Sequence, residues 1–168
     1  LLARLKNREI AAQGGTFQIS REVTGRVLYP PHGLKAKAAD DQALVVQLVI
    51  AGTHSVLLVS DSGAQTERAL LARPNELRSD VLIKGQHYSG ESGSVEFLDA
   101  VRPQLIVASS IDFPARERIP DDWARMVQAR GIKLLRQDET GAVTIEFFHD
   151  HWRATPFLDQ PTLRSTSR

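Results

Sequence analysis

Two adjacent apolar runs constrain the fold of this chain more than any other feature of its sequence. Residues 43–50 read ALVVQLVI, and residues 55–59 read SVLLV after the short turn AGTH. Aliphatic and β-branched runs bounded by turn residues predict strands, and the short turn predicts that the two strands form an antiparallel hairpin. Because both runs are nearly continuous in apolar residues, we expect this part of the sheet to be buried on both faces.

Downstream of the hairpin, helical and strand patterns alternate. Ser94 predicts the N-cap of a helix, and Gly131 predicts the end of another. We predict helices at residues 1–10, 66–72, 95–101 and 120–130, and further strands at 16–19, 26–29, 81–83, 105–108 and 133–135. Residues 142–148 are expected to return beside the last of these strands after a turn at 138–141. Such a pattern predicts a layered α/β fold with a mixed sheet whose two faces are covered.

The composition excludes several classes of function. The 168 residues carry 21 Lys and Arg against 20 Asp and Glu, and the net charge of +1 excludes a strongly basic module that binds nucleic acid by bulk electrostatics. Cysteine is absent, which excludes disulfides, cysteine-ligated zinc and thiol catalysis. No apolar run reaches the roughly 18 residues of a transmembrane helix. Because the chain starts at Leu1 without an initiating Met or a signal-peptide pattern, we interpret it as a piece of a longer protein.

Two loops that follow predicted strands carry the reactive residues. Residues 60–63 read SDSG, and residues 84–94 read KGQHYSGESGS. An aspartate directly after a buried strand, here Asp61, suits a hard oxygen ligand or a general base. Lys84 and His87 stand among hydroxyls and glycines ahead of a helix N-terminus, a composition typical of anion or metal sites. The alternative is that Asp61 only forms a turn and that both loops are ordinary connections.

Two other patterns invite a functional interpretation but favour a structural one. Trp123, Met126 and Val127 fall on one stripe of a predicted helix, as core residues do. His149 and His151 imitate an alternating metal-binding pair, but we interpret them as residues of an edge strand beyond the reactive loops.

Several segments resemble, in chain order, the motifs of a known family. Before the hairpin turn, residues 28–30 (LYP) and 40–45 (DDQALV) match LHP and NDNSLVL of the family. Around the two reactive loops, residues 57–61 (LLVSD), 67–71 (ERALL) and 80–89 (DVLIKGQHYS) match LLTGD, E..LL and DVLKVPHHGS. Farther along the chain, residues 96–103 (EFLDAVRP) and 138–143 (DETGAV) match EFLEAVRP and DEDGAV. This set resembles the metallo-β-lactamase-fold C-terminal domain of ComEC-type competence proteins, the inner-membrane channels for DNA uptake. The resemblance runs from about Leu28 to Phe148.

The resemblance implies the C-terminal half of a four-layer αββα sandwich, in which two halves meet at a metal site between the sheets. Active members of the fold use divalent metal ions to activate a water that attacks a phosphodiester or similar bond. On this basis we assign residues 1–152 to the C-terminal half of such a domain and residues 153–168 to a polar C-terminal tail. The HxHxDH motif, which in the family supplies several ligands from the first half, does not occur in these residues.

The departures from the family pattern indicate an eroded site. Asp61 occupies the position of the usual metal-bridging aspartate, and His87 keeps the second histidine of HHGS. Gln86 replaces the first histidine and Tyr88 the glycine, and residues 116–120 (RERIP) replace GHPHP, so that further ligand-type histidines are missing. We take Asp61 and His87 as candidate metal ligands, and Asp61, His87 and Lys84 as candidate catalytic residues. We expect the two ligands at the ends of neighbouring strands, and zinc or manganese bound weakly or not at all.

Three functions remain open. In the first, a ComEC-like domain hydrolyses DNA: Asp61 bridges metal, His87 ligates it or contacts phosphate, and Lys84 offsets charge on the phosphoryl oxygens. The second, which the lost histidines favour, is a non-catalytic module that contacts single-stranded DNA or the channel. The third is a soluble metal-dependent small-molecule hydrolase on the same fold. The resemblance implies two partners, an upstream half-domain and a membrane channel domain, and no small-molecule cofactor. It also implies that upstream segments associate with the membrane, and we expect this chain itself to be soluble.

Overall fold

The computed structural model describes residues 11–35, 39–87, 89, 91–111, 113, 118–158 and 161–165. The helix predicted at residues 1–10 lies outside this part of the chain. The strands are β1 Thr16–Ser20, β2 Val23–Tyr29, β3 Val45–Ile50, β4 His54–Leu58, β5 Val81–Lys84, β6 Leu105–Ala108, β7 Lys133–Arg136, β8 Val143–Phe147, β9 Trp152–Pro156 and β10 Leu163–Arg164. The helices are α1 Ala64–Leu71, α2 Val95–Val101, α3 Asp121–Ala129 and α4 Gln137–Thr140.

The larger sheet has seven strands in the order β1-β2-β3-β4-β5-β6-β7. Neighbours from β1 to β4 are antiparallel, and neighbours from β4 to β7 are parallel. The predicted hairpin is confirmed, since β3 and β4 pair from Val46 opposite Leu58 to Ile50 opposite His54. Its turn contains Gly52 at a φ of 71°, a left-handed conformation that glycine adopts without steric cost. The mixed α/β fold predicted from the sequence is confirmed.

The large sheet lies between a layer of helices and a smaller sheet. One core joins it to α1, α2 and α3 and includes Leu57, Leu82, Ile106, Leu70, Phe97 and Val127. The other core joins it to the three-stranded sheet β10-β9-β8 and includes Val56, Val81, Leu105, Trp152 and Ala154. Because successive residues of a strand point to opposite faces, the apolar runs of β4, β5 and β6 serve both cores. Each such side chain contributes roughly 1.5–3 kcal/mol when fully buried.

Helices α2 and α3 begin where capping chemistry predicts. Ser94 is the N-cap of α2, and its Oγ accepts a hydrogen bond from the Phe97 N–H at 3.3 Å. Pro120 precedes α3, whose first turn carries Asp121 and Asp122, where the helix dipole favours anions. None of the helices in the described part of the chain is long and apolar enough to span a membrane.

The segment after β7 departs from the sequence prediction. Residues 137–140 form the short helix α4, and β8 pairs with β9 in the second sheet instead of returning beside β7. Residues 153–156, which the sequence analysis assigns to a polar tail, belong to β9, and residues 163–164 form β10. These residues form a strand because buried and more exposed side chains alternate along an otherwise polar segment. Trp152 and Ala154 are buried in the core between the sheets, while Thr155 is exposed.

Candidate functional site

The two reactive loops meet at one edge of the large sheet. One loop follows β4 and the other follows β5, and these are neighbouring parallel strands. Backbone hydrogen bonds join them: the Val59 N–H donates to the Ile83 carbonyl at 3.0 Å, and the Gly85 N–H donates to the Ser60 carbonyl at 2.7 Å. The expectation that Asp61 and His87 follow neighbouring strands at the same sheet edge is confirmed.

Each loop carries a glycine that makes room for the candidate residue of the other. Gly85 lies so close to the Asp61 carboxylate that a Cβ at this position would overlap Oδ1. Gly63 lies against the ring of His87, where a Cβ would come within 2.5 Å of Cγ. Any side chain at either position must displace Asp61 or His87, so the two glycines are required by the close approach of the loops.

His87 is held by contacts at both ring nitrogens. The residue is 5% exposed, and its Nδ1 accepts a hydrogen bond from the Ser89 N–H at 3.2 Å and lies 2.7 Å from the Ser89 hydroxyl. Its Nε2 faces another segment of the chain and lies 3.4 Å from Oδ1 of Asp41. In this arrangement both ring nitrogens face groups of the protein itself.

Lys84, the last residue of β5, is a buried cation directly behind these loops. It is 3% exposed, its Nζ lies 4.8 Å from the centre of the Trp123 ring, and it donates to Oε1 of Gln86 at 3.3 Å. Burial lowers the pKa of Lys84 from 10.5 to about 8, and the attraction of Glu67 and Asp61 opposes that shift. The charge of Lys84 therefore acts on neighbouring side chains inside the protein, since its ammonium is not at the surface.

Glu67 and Trp123 hold the far end of the His87 loop. Glu67, 4% exposed on α1, accepts hydrogen bonds from the Gly93 N–H and, at 3.0 Å, from the Ser94 N–H. The Trp123 Nε1–H donates to the Gly93 carbonyl at 2.8 Å. Trp123 also packs against the core on the helix side, as the sequence analysis predicts. These contacts fix both backbone groups of Gly93, directly before α2.

Three contributors to this edge were not predicted from the sequence: Asp41, Glu67 and the site contact of Trp123. Two of them lie in segments that carry the family resemblance, Asp41 in 40–45 and Glu67 in 67–71. Their place in these segments was the sequence signal that could have pointed to them. Their roles depend on partners far along the chain, which no local pattern reports.

The described residues at this edge are fewer than the ligands that a zinc or manganese centre uses. Zinc sites use three or four protein ligands. Among the described residues, no three His, Cys, Asp or Glu side chains are arranged to hold a metal ion. Of the two candidate ligands, Asp61 is exposed, whereas the Nε2 of His87 faces Asp41. The buried charge of Lys84 adds electrostatic repulsion toward a second cation.

The remaining sequence-based candidates lie elsewhere or outside the described residues. Gln86, in the place of a family histidine, is buried, and its Oε1 also lies 3.4 Å from the Ser92 hydroxyl. Tyr88 and Glu117 lie outside the described residues. His151 stacks on Phe148 at 4.6 Å, and both histidines of the apparent pair lie in the turn between β8 and β9, not in an edge strand as predicted.

Comparison with known proteins supports the resemblance in part. Over 131 residues, the chain is 32% identical to competence protein ComA of Neisseria gonorrhoeae, and the alignment covers 70% of this chain. The chain is similar to part of a competence protein. It is also 26% identical over 111 residues, or 65% of its length, to the uncharacterized protein YcaI of Escherichia coli (strain K12). It spans only 19% and 15% of these two relatives. No model of a protein family matches the chain, and the metallo-β-lactamase assignment stays a prediction.

Proposed function

We propose that this chain is a non-catalytic domain of a DNA-uptake protein, in which the fold of a metal-dependent hydrolase is kept for contacts with single-stranded DNA or with a membrane channel. The similarity to a competence protein over 70% of the chain supports a role in DNA uptake. In this proposal the membrane association belongs to segments upstream of the chain, and the upstream half-domain is its direct partner.

The observation that carries the non-catalytic part is the state of the two basic candidate residues. His87 and Lys84 are 5% and 3% exposed, and both are engaged with groups of the protein itself. A hydrolytic site has to hold its activated water by several ligands in a tightly defined geometry, and an error of about an ångström costs roughly a hundredfold in rate. Here the same residues instead contact their own loop and the neighbouring side chains of Asp41 and Trp123.

A weak metal-dependent nuclease is the second candidate function. It is favoured by the exposed Asp61, which lies at the same sheet edge as His87. A metal ion recruited by this pair would need further ligands, for example from an upstream half-domain, and would need His87 to exchange its contact with Asp41. A soluble small-molecule hydrolase is the third candidate, and no contact in the described residues favours it.

The test combines an uptake assay with a cleavage assay on the same alleles. We expect deletion of the segment that encodes this chain to abolish natural transformation in the native organism, and Asp61→Asn to leave it nearly unchanged. Purified full-length protein with added manganese or zinc is expected to cleave single-stranded DNA slowly at best. His151→Ala, at a surface histidine of the smaller sheet, is the matched control.

Two results contradict the proposal in different ways. Fast metal-dependent cleavage that is lost in both Asp61→Ala and His87→Ala would restore the nuclease. Unimpaired transformation after deletion of the segment would remove the role in DNA uptake.

A further inference from the structure

A groove lies at the sheet edge opposite the Asp61 and His87 loops. It has a volume of about 560 Å³ and is formed where β4, β5 and β6 begin. Thr53 and Ser55 from the hairpin, Asp80 before β5, and Arg102 and Gln104 before β6 are among the residues that line it. The wall is therefore rich in hydroxyl, amide and guanidinium groups, and it belongs to no site described above.

Two arginines dominate the charge at this groove. Arg78 and Arg102 are exposed, and both also line a second groove of about 540 Å³, so that they stand between the two. No carboxylate in the described part of the chain forms a salt bridge with either guanidinium. The acid of the first groove, Asp80, is 7% exposed and accepts from the Ser55 N–H at 2.8 Å, so its charge is turned inward.

Acidic groups also line the second groove, and one of them is neutralised. Glu96 and Asp99 are among its lining residues, and Asp99 is paired with Arg130. Because Asp99 is paired, Glu96 is the carboxylate of the second groove that lies beside Arg78 and Arg102 without a salt bridge among the described residues.

The backbone of Arg102 provides an independent observation. Arg102 is the C-cap of α2 and has left-handed dihedral angles, with φ 52° and ψ 51°. Glycine is the residue most favoured at such a helix end, because a Cβ is sterically unfavourable in this conformation. The Arg102 Nε donates a hydrogen bond to the Asp99 carbonyl in the last turn of α2 at 3.2 Å, which orients the guanidinium beside the two grooves.

We propose that Arg78 and Arg102 bind the phosphodiester backbone of single-stranded DNA at this second edge. Guanidinium groups donate paired hydrogen bonds that match phosphate oxygens, and the exposed Thr53 hydroxyl adds a further donor on the wall. Two grooves that continue on either side of the arginine pair fit an extended strand better than one free phosphate ion. The inference rests on the proposed role in DNA uptake and assigns its DNA contact to residues outside the eroded site.

The experiment measures binding of a fluorescein-labelled oligothymidylate of about twelve nucleotides by fluorescence anisotropy over a salt series. Arg78→Gln and Arg102→Gly are each expected to weaken binding about tenfold. Each is also expected to lower the slope of log affinity against log salt by about 0.7, the value for one phosphate contact in a single strand. Arg125→Gln, at an exposed arginine of α3, is the matched control and is expected to bind like the unmodified chain.

Arg102→Gly also separates binding from folding. Glycine relieves the left-handed strain and removes the exposed Nε bond to the Asp99 carbonyl, so this variant is expected to melt close to the temperature of the unmodified chain, and a loss of DNA binding cannot then be assigned to unfolding. The inference is overturned if both arginine variants bind like the unmodified chain, if the unmodified chain does not bind, or if inorganic phosphate binds at the arginines and the oligonucleotide does not. A transformation defect on deletion of the chain, combined with any of these outcomes, would leave the proposed function standing and remove only this contact.

Discussion

Replacing Lys84 by methionine is expected to make the protein more stable at neutral pH. Methionine keeps an apolar stem of similar length and removes an ammonium group from a residue that is 3% exposed. Burial lowers the pKa of Lys84 from 10.5 to about 8, and because one pKa unit corresponds to about 1.4 kcal/mol, the charged form destabilises the fold by about 3 kcal/mol. The contact with Trp123 offsets up to about 2 kcal/mol of this. We therefore expect a net stabilisation of about 1–3 kcal/mol at pH 7.

The pH dependence gives the more specific test, because its sign follows from the direction of the shift. Below pH 8, Lys84 is protonated in both the folded and the unfolded chain, and it contributes no slope. Between a folded pKa of about 8 and an unfolded pKa of 10.5, the unfolded chain binds more protons, so the free energy of unfolding rises with pH through this group. Lys84→Met lacks this contribution, and its advantage is expected to shrink steadily above pH 8.

The measurement is urea unfolding, followed by tryptophan fluorescence, at several pH values from neutral to about 10.5. Lys133→Met is the matched control, since Lys133 also lies over a tryptophan ring, that of Trp152 at 5.3 Å, but is only partly buried. A Lys84→Met protein that is less stable than the unmodified chain at pH 7, or a stability difference that is the same at every pH, would refute the argument from burial.

Three further predictions test the contacts of the site. Gly85→Ala is expected to destabilise the fold by about 1–3 kcal/mol, because the alanine Cβ would overlap the Asp61 carboxylate. The measurement is urea unfolding, and an unchanged free energy of unfolding would contradict this prediction. Glu67→Gln weakens the charge-assisted hydrogen bonds that the Gly93 and Ser94 N–H groups donate to Glu67. We expect the free energy of unfolding to fall by about 1.5–3 kcal/mol and hydrogen exchange at those two amides to become faster. Unchanged exchange would argue against the anchoring role of Glu67. After mild dialysis the purified chain is expected to hold far less than one zinc or manganese ion per molecule by elemental analysis, and a stoichiometric metal would show that ligands have been missed.

Much of the architecture could be predicted because it is encoded in local patterns. The hairpin of β3 and β4 follows from two apolar runs and a short turn, and the start of α2 follows from the serine at position 94. The adjacency of the Asp61 and His87 loops could also be predicted, since parallel neighbouring strands end at the same sheet edge. The second sheet could not. Its strands β8, β9 and β10 are short, and the alternation of Trp152 and Ala154 with polar residues is brief and flanked by turn residues.

Sequence alone thus determined which residue types are available at the site and which strand ends carry them: an aspartate after β4, and a lysine and a histidine at the end of β5 and just beyond it. Only the tertiary structure decided what those side chains do. It buries Lys84 against Trp123, turns His87 toward Asp41, and brings Glu67 to an amide 26 residues away. These interactions join segments that are distant in the chain, and their strength depends on burial and on the exact direction of each donor and acceptor. Local periodicity carries information about neither, because it reports the face on which a residue lies and not the partner that the folded chain places there.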